Sequence, residues 1–183
     1  STFAEHLDPE QLRYYFACKL NDGIDDLDLN LDDFIARVNS DLVGKVVNIA
    51  SRCSGFITRH FDGLLSAKLR EPELYSEFAA VASVIAEHYE GREFGRAMRE
   101  VMLLADRANQ YIDSEKPWQL VKQSDRLDDV QEICTVGMNL YRVLITLLAP
   151  VLPRTAALSE TLLGPGTLAW DALLEPLLDC RIN

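Results

Sequence analysis

Asn48 and Arg52 are the residues of this chain best spaced to touch an unpaired base. They stand four apart in a segment of helical periodicity, so an amide and a guanidinium project side by side from one face. Such a pair can hydrogen-bond a base edge, and the guanidinium plane can stack on a base. Trp118 follows Lys116-Pro117, where proline must stop the preceding helix, and this predicts an indole in a short loop. Aromatic side chains beside arginine are what single-stranded bases stack on, at about 1–3 kcal/mol per base. The same tryptophan fits a hydrophobic plug over a bundle end equally well, and residue type alone does not separate the two.

Other chemistries lack their residues. There is no GxSxG, no P-loop, no GxGxxG after a strand and no HExxH. A di-iron bundle needs Glu-x-x-His on two helices, whereas Glu87 and His88 are adjacent and have no second copy. His6, His60 and His88 are scattered, as are Cys18, Cys53, Cys134 and Cys180, with no CxxC pair. Neither a zinc site nor a disulfide framework is expected from that spacing, and reduced thiols point to a cytosolic setting. No catalytic residue is predicted.

The 183 residues carry 18 basic and 29 acidic side chains, a formal charge of −11. At 48% hydrophobic residues the chain can build a globular core of about one domain. Taken whole, the charge argues against a nucleic-acid partner, because phosphate binding runs on Lys and Arg. Its distribution is uneven. Residues 37–70 hold Arg37, Lys45, Arg52, Arg59, Lys68 and Arg70 against only Asp41 and Asp62, while residues 1–36 hold nine acidic side chains against two basic ones. Positive charge therefore gathers on one segment, as either a solvated helix face or a narrow grip on nucleic acid. No apolar run approaches the roughly 18–20 residues of a membrane-spanning helix, and no signal peptide is visible before Ser1.

The elements that would hold these residues are helical almost throughout. Asp8 caps and Pro9 opens a first helix to about Leu20, followed by an acidic linker through Asp28. Asn30, with Asp33 in the capping-box position, opens a long helix over 31–61. Its inner stripe is predicted as Ile35, Val38, Leu42, Val46, Ile49, Cys53 and Phe56, widened by Val43, Val47, Ala50 and Ile57. Arg37, Asp41 and Lys45 are spaced to pair as a solvated ladder on the far side. Further helices are predicted from Pro72 to Glu90, about Arg92 to Asp113, about Asp125 to Leu148 and about Pro153 to Leu163, with a short tail over 170–178. Short loops between them make an all-α, antiparallel bundle of five to six helices.

Several blocks resemble the methionyl-tRNA synthetase family. They are Leu12-Arg13-Tyr14-Tyr15, the stretches 24–34 and 39–52, Asn109-Gln110-Tyr111-Ile112-Asp113, Lys116-Pro117-Trp118, and 148–153. The resemblance runs in order along the whole chain. It implies the helical domain with which that ligase reads the CAU anticodon of methionine tRNA in protein biosynthesis. Residues 1–30 would end a connecting segment and 31–183 would form the anticodon-binding bundle. By the same resemblance Asn48 and Arg52 contact anticodon bases, Trp118 beside Pro117 stacks on the first of them, and Asn109 and Asp113 shape the pocket and reject other anticodons. An amide such as Asn109 also suits a purely structural tie between helices. The HIGH- and KMSKS-type signatures of class I synthetases are absent, so the chain reads as a domain excised from a cytoplasmic, ATP-dependent ligase. ATP and zinc then belong to the missing catalytic half, its partner in cis, and no cofactor, metal, membrane or DNA is implied for this segment. The alternatives are the equivalent domain of the cysteine, valine, leucine or isoleucine enzyme, and a non-enzymatic helical protein-interaction domain.

Overall fold

The computed structural model describes residues 8–21, 23 and 28–183, and the predicted acidic linker at 24–27 lies outside the described residues. Local signals set the first helix. Asp8 Oδ1 accepts the Glu10 N–H at 3.0 Å and opens α1 (Pro9–Lys19), with proline at the first helical position. At the start of α2 (Leu31–Arg37), Asn30 Oδ1 accepts the Asp33 N–H at 3.0 Å. The reciprocal half of the capping box does not form. The Asn30 N–H donates to Tyr15 Oη at 3.2 Å, and the Asp33 carboxylate lies 3.2 Å from Lys19 and 3.8 Å from Arg37.

Helix α2 runs without a break through a π-helical stretch, Val38–Val47, into α3 (Asn48–Phe61). The predicted helix over 31–61 is thus one rod with wide turns in its middle. The i→i+5 bonds of a π stretch put more residues into each turn than the 3.6 of an α-helix, so side chains four apart fall into line. Phe34, Val38, Leu42, Val46 and Ala50 accordingly face the core at intervals of four. Two expectations fail here for that reason. Ile35, Val43 and Val47, assigned to the inner stripe, are 53%, 53% and 44% exposed. Arg37, Asp41 and Lys45 form no ladder. Arg37 turns back along its own helix to Asp33, while Asp41 meets the Tyr14 hydroxyl of α1 and Lys45 meets Asp106, which neighbouring elements place better than the widened turn places its own residues.

The remaining elements are α4 (Pro72–Glu90), α5 (Phe94–Glu115), α6 (Pro117–Leu120), α7 (Leu127–Leu148) and α8 (Pro153–Leu163), with single 3₁₀ turns at Ser124–Arg126 and Asp171–Leu174. Helix α5 starts at Phe94 rather than Arg92, whose φ of 61° is left-handed and cannot belong to the helix. Counting α2–α3 as one rod, the described residues form six helices of two turns or more, with no strand. None is long and apolar enough to cross a membrane.

Helix α7 is the axis of the bundle. Every residue from Ile133 to Leu148 is buried, and a helix buried on all sides needs neighbours on all sides. It packs against α3, α4, α5, α6 and α8. Gly137 lets α3 come close, since a Cβ there would overlap Cys53 Sγ. Cys134 lies beside Cys53, and their hydrogen bond together with burial holds the Cys134 thiol above its ordinary range. All four cysteines are free thiols. On the other side of α7, the fully buried Arg142 donates to the backbone carbonyls of Thr167 and Glu175 at 2.7 Å each, and to that of Ala172. Asn139 exchanges two hydrogen bonds with the backbone of Leu177. These bonds fold the segment after α8 back along the bundle.

Candidate nucleic-acid interface

Helix α5 lies alongside the rod, so its polar line at Asp106, Asn109 and Asp113 meets Lys45, Asn48 and Arg52. Each rung joins residues 61 apart in sequence. The Lys45 ammonium sits 2.9 and 3.0 Å from the two Asp106 oxygens. Asn48 Nδ2 donates to Asn109 Oδ1 at 3.1 Å, and Arg52 Nη2 donates to Asp113 Oδ1 at 2.7 Å.

The middle rung fixes which way the amides point. Asn109 Nδ2 donates to the carbonyls of Lys45 at 3.1 Å and Ala105 at 2.8 Å, which a flipped amide could not do. Its Oδ1 must therefore accept, so Asn48 must turn its Nδ2 inward. Asn48 Oδ1 is left as an acceptor with no partner among the described residues. Asn109 is the helix–helix tie that its residue type suits.

Trp118 is seated by the start of α6. Lys116 takes a left-handed conformation (φ 51°) that ends α5, and Pro117 with its fixed φ begins the next turn. The predicted loop is thus a short helical turn, a correction that follows from the left-handed residue standing directly before the proline. Trp118 is half-buried against the core and not freely presented, while Pro117 is buried beneath it. The Arg52 Cζ lies 4.4 Å from the centroid of the Trp118 ring. Arg52 is therefore held twice, by a ring and by a carboxylate. Neither hold is strong: a cation over an exposed ring contributes about 0.5–1 kcal/mol, and a partly exposed ion pair about 0–1 kcal/mol.

Asn48, Arg52, Trp118, Asn109 and Asp113 thus come together where α3, α5 and α6 meet, with Pro117 as the support of Trp118. Beside them an open cleft of about 370 Å³ is lined by Ser51, Arg52, Gly55, Phe56, Arg59 and Trp118. Three of the six cations in the positive strip of residues 37–70 are neutralised by carboxylates from other helices. Lys45 and Arg52 are paired as above, and Arg70 meets Glu115 at 3.4 Å and Asp129 at 2.7 Å. Hydrogen bonds from Arg126 and Arg70 hold the Asp129 carboxyl below its usual range. The Lys45–Asp106 rung and the cleft are absent from the sequence-based site. The i, i+3, i+7 spacing of Asp106, Asn109 and Asp113 was the only local signal for the ladder. His88, weighed above as a metal ligand, instead ties the α4–α5 turn, its ring nitrogens 3.0 and 2.9 Å from Glu93 and Glu100. No group of three His, Cys, Asp or Glu among the described residues is placed to hold a metal ion.

The fold is that of the helical domain carried by class I tRNA synthetases. Residues 1–54 match the family model described as tRNA synthetases class I (M). Residues 66–180 match that of the anticodon binding domain of methionyl tRNA ligase, and the chain belongs to this family. Among solved structures it is similar to the apo (free-state) form of Mycobacterium tuberculosis methionyl-tRNA synthetase, at 22% identity and a TM-score of 0.86, over 98% of this chain and 38% of that one. Two further structures of the M. tuberculosis enzyme, with methionyl-adenylate, match at 22% identity and TM-scores of 0.85 and 0.86. The chain spans only 36–38% of the length of these synthetases.

Proposed function

We propose that this domain reads the CAU anticodon of methionine tRNA for a cytoplasmic, ATP-dependent methionine–tRNA ligase whose catalytic half lies elsewhere in the parent chain. Residues 1–30 end the connecting segment and 31–183 form the reading bundle. The domain itself contributes recognition and positioning, and ATP belongs to the catalytic half. The observation that carries this reading is Arg52, stacked on Trp118 and paired with Asp113 beside the free acceptor of Asn48.

That arrangement suits unpaired bases. The first anticodon base stacks on Trp118, and Arg52 supplies a second planar face at little energetic cost, because both of its present holds are weak. Asn48 Oδ1 accepts from the exocyclic amine that cytosine and adenine carry and uracil lacks. Asp113 only accepts hydrogen bonds, so it disfavours a base that turns a carbonyl towards it.

Side-chain NMR tests this directly. Adding an RNA hairpin with a CAU loop should shift the Asn48 Nδ2 and Arg52 Nε resonances, and a hairpin carrying a valine or isoleucine anticodon should leave them in place. Equal shifts with all three hairpins would refute anticodon reading.

A further inference from the structure

We infer that the cleft over Gly55 is a nucleotide seat: an unpaired base lies on Gly55 against Trp118 and Phe56, and its phosphate meets Arg59. This rests on the RNA-binding reading above and adds Gly55, Phe56 and Arg59, which that reading does not use.

Gly55 is the first observation. It stands in the interior of α3, where glycine is the poorest helix former after proline. The other crowded glycines have a neighbour that requires them: Gly137 meets Cys53 Sγ, and Gly95 meets the carbonyls of Cys18 and Leu20. A Cβ on Gly55 would meet nothing within 4 Å, and its backbone is not left-handed. Neither packing nor conformation explains the residue. What the missing side chain does is deepen the cleft, whose volume of about 370 Å³ falls within the range of small-ligand sites.

Charge is the second observation. Along the rod, Arg37, Lys45 and Arg52 each face a carboxylate. Arg59, one turn beyond Gly55 on the same face, is exposed and has no ion pair or side-chain hydrogen bond among the described residues. A cation left unneutralised at the rim of a cleft walled by an indole and a phenyl ring matches a base and its phosphate together. Ser51, one turn the other way, adds an exposed hydroxyl to the same rim.

The test measures the affinity of the 183-residue chain for a CAU-loop RNA hairpin over a range of salt, together with thermal melting. Gly55→Leu fills the cleft and should weaken binding about tenfold or more while melting at or above the wild-type temperature, since leucine is the better helix former. Gly55→Ala should change affinity less than about threefold, because one methyl leaves most of the cleft open. Arg59→Gln should lower the slope of log affinity against log salt by about 0.7, the signature of one lost phosphate contact to a single strand. Trp118→Ala separates the two levels of the argument. If it weakens binding but Gly55→Leu does not, the nucleotide seat is wrong and anticodon reading survives. If neither weakens binding, both are wrong, and a protein partner anchored on Trp118 becomes the better account. Should Gly55→Leu fail to fold, an unchanged salt slope in Arg59→Gln overturns the proposal by itself.

Discussion

Arg142 and Arg52 are both arginines on long helices that face α-helical neighbours, yet they are held in opposite ways. Arg142 is 2% exposed, and its donors go to three backbone carbonyls of the C-terminal segment. Burial pushes its guanidinium below its ordinary pKa, though an arginine keeps its charge at neutral pH. Arg52 has one carboxylate and one ring, both at the edge of solvent. Carbonyls on a folded-back segment cannot be exchanged for an outside ligand without opening the protein. A surface carboxylate and an indole face can. The contrast separates a guanidinium that makes the fold from one that the fold keeps available, and it can be broken at either end.

The largest effect is expected at Arg142. Arg142→Met removes the charged donor from three carbonyls. Of these, Glu175 keeps the Tyr75 hydroxyl, Ala172 keeps a long bond from the Glu175 N–H, and Thr167 keeps none among the described residues. The change should cost about 3 kcal/mol. Calorimetry should show this as a melting point lower by about 6–12 °C, with the RNA affinity of the folded fraction unchanged. A smaller effect, on binding rather than folding, is expected at Trp118. Trp118→Ala should weaken a CAU hairpin by about 1–3 kcal/mol in a titration, and a loss seen equally with every hairpin would contradict a reading role. Asp113→Asn should shift stability by less than about 1 kcal/mol while narrowing the preference for CAU over other loops.

Arg70 stands between the two extremes, half-buried among Glu115, Asp129 and Glu132. Because the Asp129 carboxyl is held below its usual range, its stabilisation is present above the unfolded-state value near about 3.9 and is lost as pH falls through the folded value. Asp129→Asn should therefore lower stability at pH 7 by roughly 1 kcal/mol or less, read as a slightly lower urea midpoint, and the gap to wild type should fade in acid. A gap that grows in acid would contradict this assignment.

Local signals in the sequence located most of the scaffold. Pro72 and Gly91 bound α4, Pro153 and Gly164 bound α8, and Asp8 and Asn30 cap helices at the predicted places. Each is a short-range preference that one sequence displays. The π stretch has no such signal, and an α-helical period run through it puts Ile35, Val43 and Val47 on the wrong side. Of the site, Asn48, Arg52 and Trp118 were legible as chemistry, but their partners were not, because Asn109 and Asp113 meet them across two helices. The positive strip was legible only as composition. Carboxylates arriving from α5 and α7 neutralise Lys45, Arg52 and Arg70 in space, and Arg59, the rod's cation without an ion pair among the described residues, is not distinguished from its neighbours by the chain.

The central claim is that Trp118 and Arg52 present an open seat for the first anticodon base. It is tested most directly by fluorescence of the chain with Trp170→Phe, so that emission reports Trp118 alone. Titrating a CAU hairpin should quench that emission saturably, and a hairpin altered only at its first anticodon base should not. Equal quenching by both, or tight binding of CAU with no change in emission, would contradict the account.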